Sequence, residues 1–110
     1  MQPAQTARIL RIHSSETDLY QGKPLYEAIV SKCRELQIAG ATVFRGLEGY
    51  GETAEMRRAH LIHHEQPIII VIVDLPENLE RLTPIVEQMI NTGVLASSEA
   101  TMIRVQKAVS

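Results

Sequence analysis

The feature of this sequence that most restricts its fold is an uninterrupted run of six β-branched residues, Ile68 to Val73. β-Branched side chains favour extended strands, in which successive side chains point to opposite faces of a sheet. Every position of the run is apolar, so a strand there carries hydrophobic groups on both faces. We therefore expect a central strand that is buried on both sides.

The spacing of apolar residues in the rest of the chain predicts three further strands and two helices. The first helix begins at Pro24, because proline lacks the N–H that would have no partner in a first turn, and Gly40 is expected to supply a left-handed stop. For the second helix, Asp74 and Glu77 have the spacing of a capping box, and Pro84 predicts a kink. The predicted elements are a strand at Ala7 to His13, a helix at about 24–38, strands at Ala41 to Glu48 and Ile68 to Val73, a helix at about 76–92, and a final strand around Met102, Ile103 and Val105.

The order strand, helix, strand, strand, helix, strand is typical of an α+β fold, the ferredoxin-like βαββαβ plait, in which an antiparallel sheet carries two helices on one face. We expect one such domain over residues 1–110. In that topology the third strand is central, and its second apolar face lies on the side without helices. An exposed apolar face is typical of an interface, so we expect an oligomer whose sheets meet. The alternative is that the C-terminal tail or a long loop shields the run.

Composition excludes several classes of function. The 11 Lys and Arg residues against 13 Asp and Glu residues give a net charge of −2, which removes the electrostatic case for non-specific nucleic-acid binding. The RNA-binding version of the plait stacks bases on aromatic residues of its central strands, and the first and third predicted strands contain none. The longest apolar run is far shorter than the ~18 residues of a membrane span. The first ten residues do not resemble a secretion signal, so we expect a cytoplasmic protein.

A glycine-rich segment after the second predicted strand is the best candidate for a ligand site. Glycines let backbone N–H groups approach a ligand closely, and arginine side chains bind phosphate or carboxylate groups through paired hydrogen bonds. A tyrosine in the same segment can stack on a base. The alternative is a β-bulge and a hairpin with solvated arginines. The candidate residues are Arg45, Gly46, Gly49, Tyr50 and Gly51, followed by Arg57 and Arg58.

Three histidines raise the alternative of a metal site. His60 and His64 would share one face of a helix or of a strand, and His63 lies between them. Their spacing implies no further ligand, and solvated loop histidines are the competing interpretation. Cys33 falls on the apolar stripe of the first helix, where we expect a small core residue. The chain has no nucleophile elbow, P-loop or zinc-protease motif, so we expect no enzyme activity.

Three blocks of the sequence closely resemble a known family. They are Asp18 to Val30 (DLYQGKPLYEAIV), Ala39 to Val43 (AGATV) and Arg45 to Gly51 (RGLEGYG). The chain is similar, over about residues 8–105, to the family labelled domain of unknown function 190. That family looks like a branch of the PII signalling superfamily, whose members are ferredoxin-like plaits that form trimers with their sheets facing the centre.

The resemblance implies a regulatory function. PII proteins bind small effectors, typically adenine nucleotides, in clefts between subunits, and a long loop between the second and third strands changes shape to grip a transporter or an enzyme. By resemblance, Gly49 to Gly51 matches the base of that loop, and Glu52 to His64 matches the loop itself. A membrane transporter or enzyme target would then contact residues 49–64.

One part of the PII pattern is missing. PII proteins carry a glycine- and lysine-rich phosphate loop after the second helix, whereas this chain has Thr92 to Ser98 (TGVLASS) without a lysine, and Arg104 and Lys107 are the nearby residues that could replace its charge. The resemblance implies a non-enzymatic trimer that binds a small anionic metabolite, such as an adenine nucleotide. The residues implied are Arg45, Gly46, Gly49, Tyr50, Gly51, Arg57 and Arg104. The alternative is a trimeric divalent-metal-binding protein resembling the CutA group, with His60, His63 and His64 as ligands.

Overall fold

The computed structural model describes residues 3–49 and 66–107. In these ranges, four strands form one antiparallel sheet and two short strands form a separate ribbon. The strand order of the four-stranded sheet, β4-β5-β1-β6, is that of the ferredoxin-like βαββαβ plait, so the predicted α+β fold class is confirmed. The third of the four long strands is central, as expected. The elements are β1 (Gln5–Ser15), β2 (Leu19–Tyr20), β3 (Lys23–Pro24), α1 (Leu25–Glu35), β4 (Gly40–Arg45), β5 (Pro67–Asp74), α2 (Pro76–Met89) and β6 (Val94–Met102).

The central strand β5 places alternate side chains on the two faces of the sheet. Ile68, Ile70 and Ile72 are each 1% exposed or less, and they pack with residues of α1 and α2 in the hydrophobic core. The alternate residues, Ile69 and Val71 among them, are only partly buried. Within a single chain, the expected burial of β5 is therefore complete on one face only.

The face of the sheet opposite the core is mainly apolar. Both described helices pack against the core face of the sheet. On the opposite face, Phe44 is 52% exposed and Val94 is 40% exposed. Arg11 donates a hydrogen bond to Ser98 at 3.2 Å. We call this surface the open face. Its strand register aligns Phe44, Ile69, His13 and Val94 in one row, Thr42, Val71, Arg11 and Ala96 in the next, and Gly40, Val73, Ile9 and Ser98 in the third.

The last strand begins eight residues earlier than its apolar residues suggested. β6 covers Val94–Met102 and pairs with β1 along its whole length, whereas we expected a strand around Met102, Ile103 and Val105. The expectation was wrong because backbone pairing at a sheet edge does not require apolar side chains. Ile103 and Val105 follow β6 and are 57% and 73% exposed, so they do not shield β5.

The ends of the helices also differ from the expectations. Gln37, with φ at +59°, is the left-handed residue after α1, whereas Gly40 begins β4. α2 starts after Leu75 and continues through Pro84 to Met89, so it ends earlier than the predicted residue 92. Neither α1 nor α2, the two described helices, has the length and apolar character needed to cross a membrane.

Asp74 is 1% exposed and joins the end of β5 to the start of β4. Its carboxylate accepts hydrogen bonds from the backbone N–H groups of Ala39 at 2.9 Å and Leu75 at 2.7 Å, and the Arg104 guanidinium lies 3.6 Å away. The capping-box prediction is therefore wrong, because Asp74 precedes the N-cap residue. Burial raises the pKa of Asp74. The two backbone hydrogen bonds, a further hydrogen bond from the Asn78 side chain and the positive charge of Arg104 oppose this effect, and together they hold the pKa of Asp74 below its ordinary value.

Replacing Asp74 with Asn should lower the free energy of unfolding by about 1–3 kcal/mol at neutral pH, because the amide cannot accept both backbone hydrogen bonds equally well. A carboxyl with a lowered folded pKa stabilises the fold above its unfolded pKa, about 3.9, and this contribution is lost as the pH falls through the folded pKa. The difference between wild type and Asp74→Asn should therefore shrink below about pH 4. Urea denaturation at pH 7 and pH 3, at a fixed protein concentration, measures both differences.

The control for this experiment is Glu77→Gln, which removes an exposed carboxylate from the first turn of α2. It should change the free energy of unfolding much less than Asp74→Asn does. A loss of stability in Asp74→Asn that is the same at both pH values would contradict the assignment of a lowered pKa.

Candidate functional site

The two ends of the 46–66 segment are held together at one end of the sheet. Arg45, the last residue of β4, pairs with Ile68 of β5. The Gly46 N–H donates a hydrogen bond to the Pro67 carbonyl at 2.8 Å. The two ends therefore form the stem of a hairpin, and the strand that was expected to reach Glu48 stops at Arg45.

A carboxylate joins this stem to the end of β1. Glu16 follows the last residue of β1, and its backbone N–H donates a hydrogen bond to the Gln66 carbonyl at 3.1 Å. The Glu16 Oε1 accepts a hydrogen bond from the Gln66 N–H at 3.2 Å, and Oε2 lies 3.3 Å from the Arg45 Nε. The side chains of Arg45 and Glu16 are 55% and 31% exposed. We call Glu16, Arg45 and Gln66 the loop-base cluster.

The first two glycines of the segment pack differently against the stem. A Cβ atom on Gly46 would lie 2.7 Å from the Pro67 Cγ, whereas a Cβ atom on Gly49 would lie 3.5 Å from the same carbon. Only glycine therefore fits at position 46 without displacing the proline ring. The Gly46 N–H is engaged by the Pro67 carbonyl, so contact between Gly46 and a ligand stays a prediction.

Arg104 lies at the opposite end of the sheet from Arg45. Arg45 is next to Ile68 at the start of β5, and Arg104 contacts Asp74 at its end. A strand rises by about 3.3 Å per residue, so the six steps from Ile68 to Asp74 span about 20 Å. A single chain therefore does not bring the two arginines to one small ligand, and they can share one only if different subunits supply them.

Several predicted functional residues lie outside the described part of the chain. Among residues 3–49 and 66–107, no group of three or more His, Cys, Asp or Glu side chains is arranged to hold a metal ion. Cys33 is described, and it is a core residue as expected, with 3% exposure. Burial raises the pKa of its thiol to about 11, so the unreactive thiol form predominates at neutral pH. The undescribed candidates are Tyr50, Gly51, Arg57, Arg58, His60, His63 and His64.

Two residues of the loop-base cluster carry no recognisable signal in the sequence. Glu16 and Gln66 are 50 positions apart, and neither belongs to a motif. Glu16 lies in a polar, turn-rich stretch, where a carboxylate is usually solvated. Its charge is opposite to that of Arg45, but only the pairing of β5 with both β1 and β4 brings the two side chains together.

The chain matches a known family over most of its length. The model of the family described as "Uncharacterized ACR", labelled DUF190, matches residues 7–102. The chain belongs to this family. The resemblance to the family with this label, inferred from the sequence blocks, is therefore confirmed.

Two relatives of this DUF190 chain are UPF0166 proteins. The relative from Aquifex aeolicus is 37% identical over 76 residues, which cover 67% of this chain and 72% of the relative. The relative from Methanocaldococcus jannaschii is 36% identical over 92 residues, which cover 81% of this chain and 84% of the relative.

The fold of the DUF190 chain is similar to solved structures of PII-like proteins. One is CPII from Thiomonas intermedia, a nitrogen regulatory PII-like protein solved with ADP, AMP and bicarbonate, which has a TM-score of 0.63 and 17% identity, with 94% of each chain covered. Another, from Thermus thermophilus and named as a PII-like signaling protein, has a TM-score of 0.57 and 12% identity and covers 93% of this chain and 92% of its own. At these identities the similarity establishes the fold.

Replacing Gly46 with Ala should destabilise the protein by about 1–3 kcal/mol, the usual range for overpacking, because the new methyl group would overlap the Pro67 ring. Urea unfolding followed by circular dichroism measures the loss. The matched control is Gly49→Ala, whose methyl group would make ordinary van der Waals contact with the same ring and should have a much smaller effect. Equal stabilities of the two variants would show that the stem does not depend on the close approach at Gly46.

Proposed function

We propose that the protein is a non-enzymatic, PII-like trimeric regulator that binds a small anionic metabolite, an adenine nucleotide, in clefts between subunits. In this proposal it acts in the cytoplasm and presents residues 49–64 to a partner protein, either a membrane transporter or an enzyme. The observation that carries the proposal is the fold similarity to CPII, which was solved with ADP, AMP and bicarbonate. Family membership and the surfaces of this chain support it further.

The open face supports the proposed trimer. Ile69, Val71 and Val73 of β5 are only partly buried in a single chain, and the neighbouring Phe44 is 52% exposed. A contiguous apolar surface of this kind is uncommon on a monomeric protein and favours association. In the proposed trimer the open faces of three chains meet at the centre, so that β5 is buried on both sides.

Arg45 of the loop-base cluster supplies the cationic edge of the proposed ligand site. The Arg45 side chain is 55% exposed, and a guanidinium offers paired N–H donors that suit phosphate and carboxylate groups. Gly49 lies beside the same stem. Because Asp74 holds Arg104 at the far end of the same chain, the partner subunit's Arg104 completes the site in this proposal. The remaining ligand residues that we propose are Gly46 and the undescribed Tyr50, Gly51 and Arg57.

The proposed ligand acts on the partner protein through the stem. A ligand that binds Arg45 and Gly49 more tightly in one arrangement of the stem stabilises that arrangement in proportion to the difference in affinity. The stem leads directly into residues 50–65, so the ligand changes the arrangement in which those residues are presented. The result is a change in affinity for the partner, and this requires no catalytic residue.

An adenine nucleotide at 100 times its Kd should raise the free energy of unfolding by about 2.7 kcal/mol, because it binds the folded protein and not the unfolded chain. A thermal-shift panel with ATP, ADP, AMP, cyclic nucleotides and bicarbonate measures the effect.

Arg45→Gln should weaken binding about tenfold or more, since a hydrogen bond to a charged group contributes about 1.5–3 kcal/mol. The control Arg34→Gln changes an exposed arginine in the last turn of α1 and should leave binding unchanged. The absence of a shift with every compound would reject the proposed ligand.

Native mass spectrometry of the wild-type protein should detect three chains in each particle. Val71→Lys should give folded monomers, because it places an unpaired charge beside Arg11 in the middle of the open face, where burial of a charge is costly. Circular dichroism checks that the variant is folded. Gln88→Lys adds the same charge at an exposed position of α2 and should leave the trimer intact. A wild-type protein that is monomeric at micromolar concentration would overturn the proposed assembly.

A further inference from the structure

Arg45 already has an anionic partner in this structure. Its Nε lies 3.3 Å from the Oε2 of Glu16. A guanidinium is planar and has five N–H donors, and it binds an anion in bidentate fashion through one of its edges. The Glu16 carboxylate therefore occupies the Nε edge, which is one of the edges that a phosphate group would use.

Glu16 is held in place by contacts that do not involve Arg45. Its Oε1 accepts a hydrogen bond from the Gln66 N–H at 3.2 Å, and its own N–H donates to the Gln66 carbonyl at 3.1 Å. These two hydrogen bonds attach Glu16 to the β5 side of the stem, whereas Arg45 belongs to the β4 side. A movement of the Arg45 side chain away from Glu16 would therefore leave the carboxylate where it is. It would remove the side-chain link across the stem, while the backbone hydrogen bond from Gly46 to Pro67 would stay in place.

The ion pair between Glu16 and Arg45 is suited to an exchange of partners. The two side chains are 31% and 55% exposed, so water screens their attraction, and partly exposed pairs of this kind are weak. A phosphate group carries up to about two negative charges and offers three acceptor oxygens. It can therefore replace a single carboxylate at the guanidinium, whereas an anion with one charge gains less from the exchange.

We propose that Glu16 competes with the ligand for Arg45, so that a phosphate-bearing ligand binds by displacing the carboxylate. This inference rests on the proposed function and specifies how its site is regulated. The displacement breaks the side-chain link between Arg45 on the β4 side of the stem and Glu16, which is held to the β5 side. It thereby connects occupancy of the site to the stem that leads into residues 50–65. Glu16 is thus a positioning residue that lowers the affinity of the site and selects for phosphate.

Isothermal titration of ADP into the full chain tests the competition. Glu16→Gln removes the charge that holds Arg45 but keeps a side-chain oxygen that can accept the hydrogen bond from Gln66, so the variant should fold. It should bind ADP about two- to fivefold more tightly than wild type, the range expected for a partly exposed ion pair. The matched control is Glu35→Gln, which removes a carboxylate from the Lys32–Glu35 ion pair on α1, of length 3.0 Å, and should leave the affinity unchanged.

A double-mutant cycle distinguishes failure of the competition from failure of the proposed function. On an Arg45→Gln background, Glu16→Gln should give no gain in affinity, because the group for which the carboxylate competes is gone. If Arg45→Gln weakens ADP binding but Glu16→Gln does not tighten it, or if the gain persists without Arg45, the competition is wrong and the proposed site stands. If wild type does not bind ADP, or if Arg45→Gln binds it as wild type does, the proposed function fails at this site and the competition fails with it.

The side-chain Nε–H signal of Arg45 in an NMR spectrum provides a second measurement that needs no change at Glu16. The signal is assigned by its loss in Arg45→Gln. Addition of ADP to the wild-type protein should shift it, because a phosphate group replaces the carboxylate that lies beside the Nε atom. An unchanged signal at saturating ADP would overturn the competition even if ADP binds.

Discussion

The burial of β5 is the physical constraint on which the rest of the structure depends. A strand composed of β-branched residues requires neighbours on both edges and apolar cover on both faces. Pairing with β1 and β4 satisfies the edges, and the helices cover the face that carries Ile68, Ile70 and Ile72. The open face, which carries Ile69 and Val71, is left partly exposed. The fold therefore presents the surface that the proposed trimer would bury.

Each end of β5 is joined to other parts of the chain by a carboxylate, and the two carboxylates differ in their exposure to solvent. Asp74 is 1% exposed and accepts two short backbone hydrogen bonds, so it is a fixed part of the structure. Glu16 is 31% exposed, and its partner Arg45 is 55% exposed, so water screens the attraction of that pair, and in our proposal the pair exchanges with the phosphate group of a ligand. In the proposed function the sheet thus has one rigid end and one end that responds to a ligand.

The elements whose apolar side chains recur at strand or helix spacing were predicted correctly. The elements that depend on backbone pairing or backbone conformation were not. The spacing located β5 and both helices because burial imposes a pattern on side chains. β6 was not predicted at its observed position, because its small and polar residues, such as Ser97 and Ser98, are exposed at a sheet edge and show no apolar pattern. The strand is instead held by backbone pairing with β1. The left-handed position after α1 is occupied by Gln37 rather than by a glycine, which no propensity rule favours.

The amino-acid sequence alone determined the fold class, the central strand, the family and the glycine-rich segment that begins at Arg45, because each is encoded in a local pattern or a continuous block of residues. Only the tertiary structure decided that Arg45 meets Glu16, and that Arg104 lies at the other end of the sheet beside Asp74. These contacts join residues that are far apart along the chain. Local patterns report which residues are buried, whereas strand order and register decide which distant charges become neighbours.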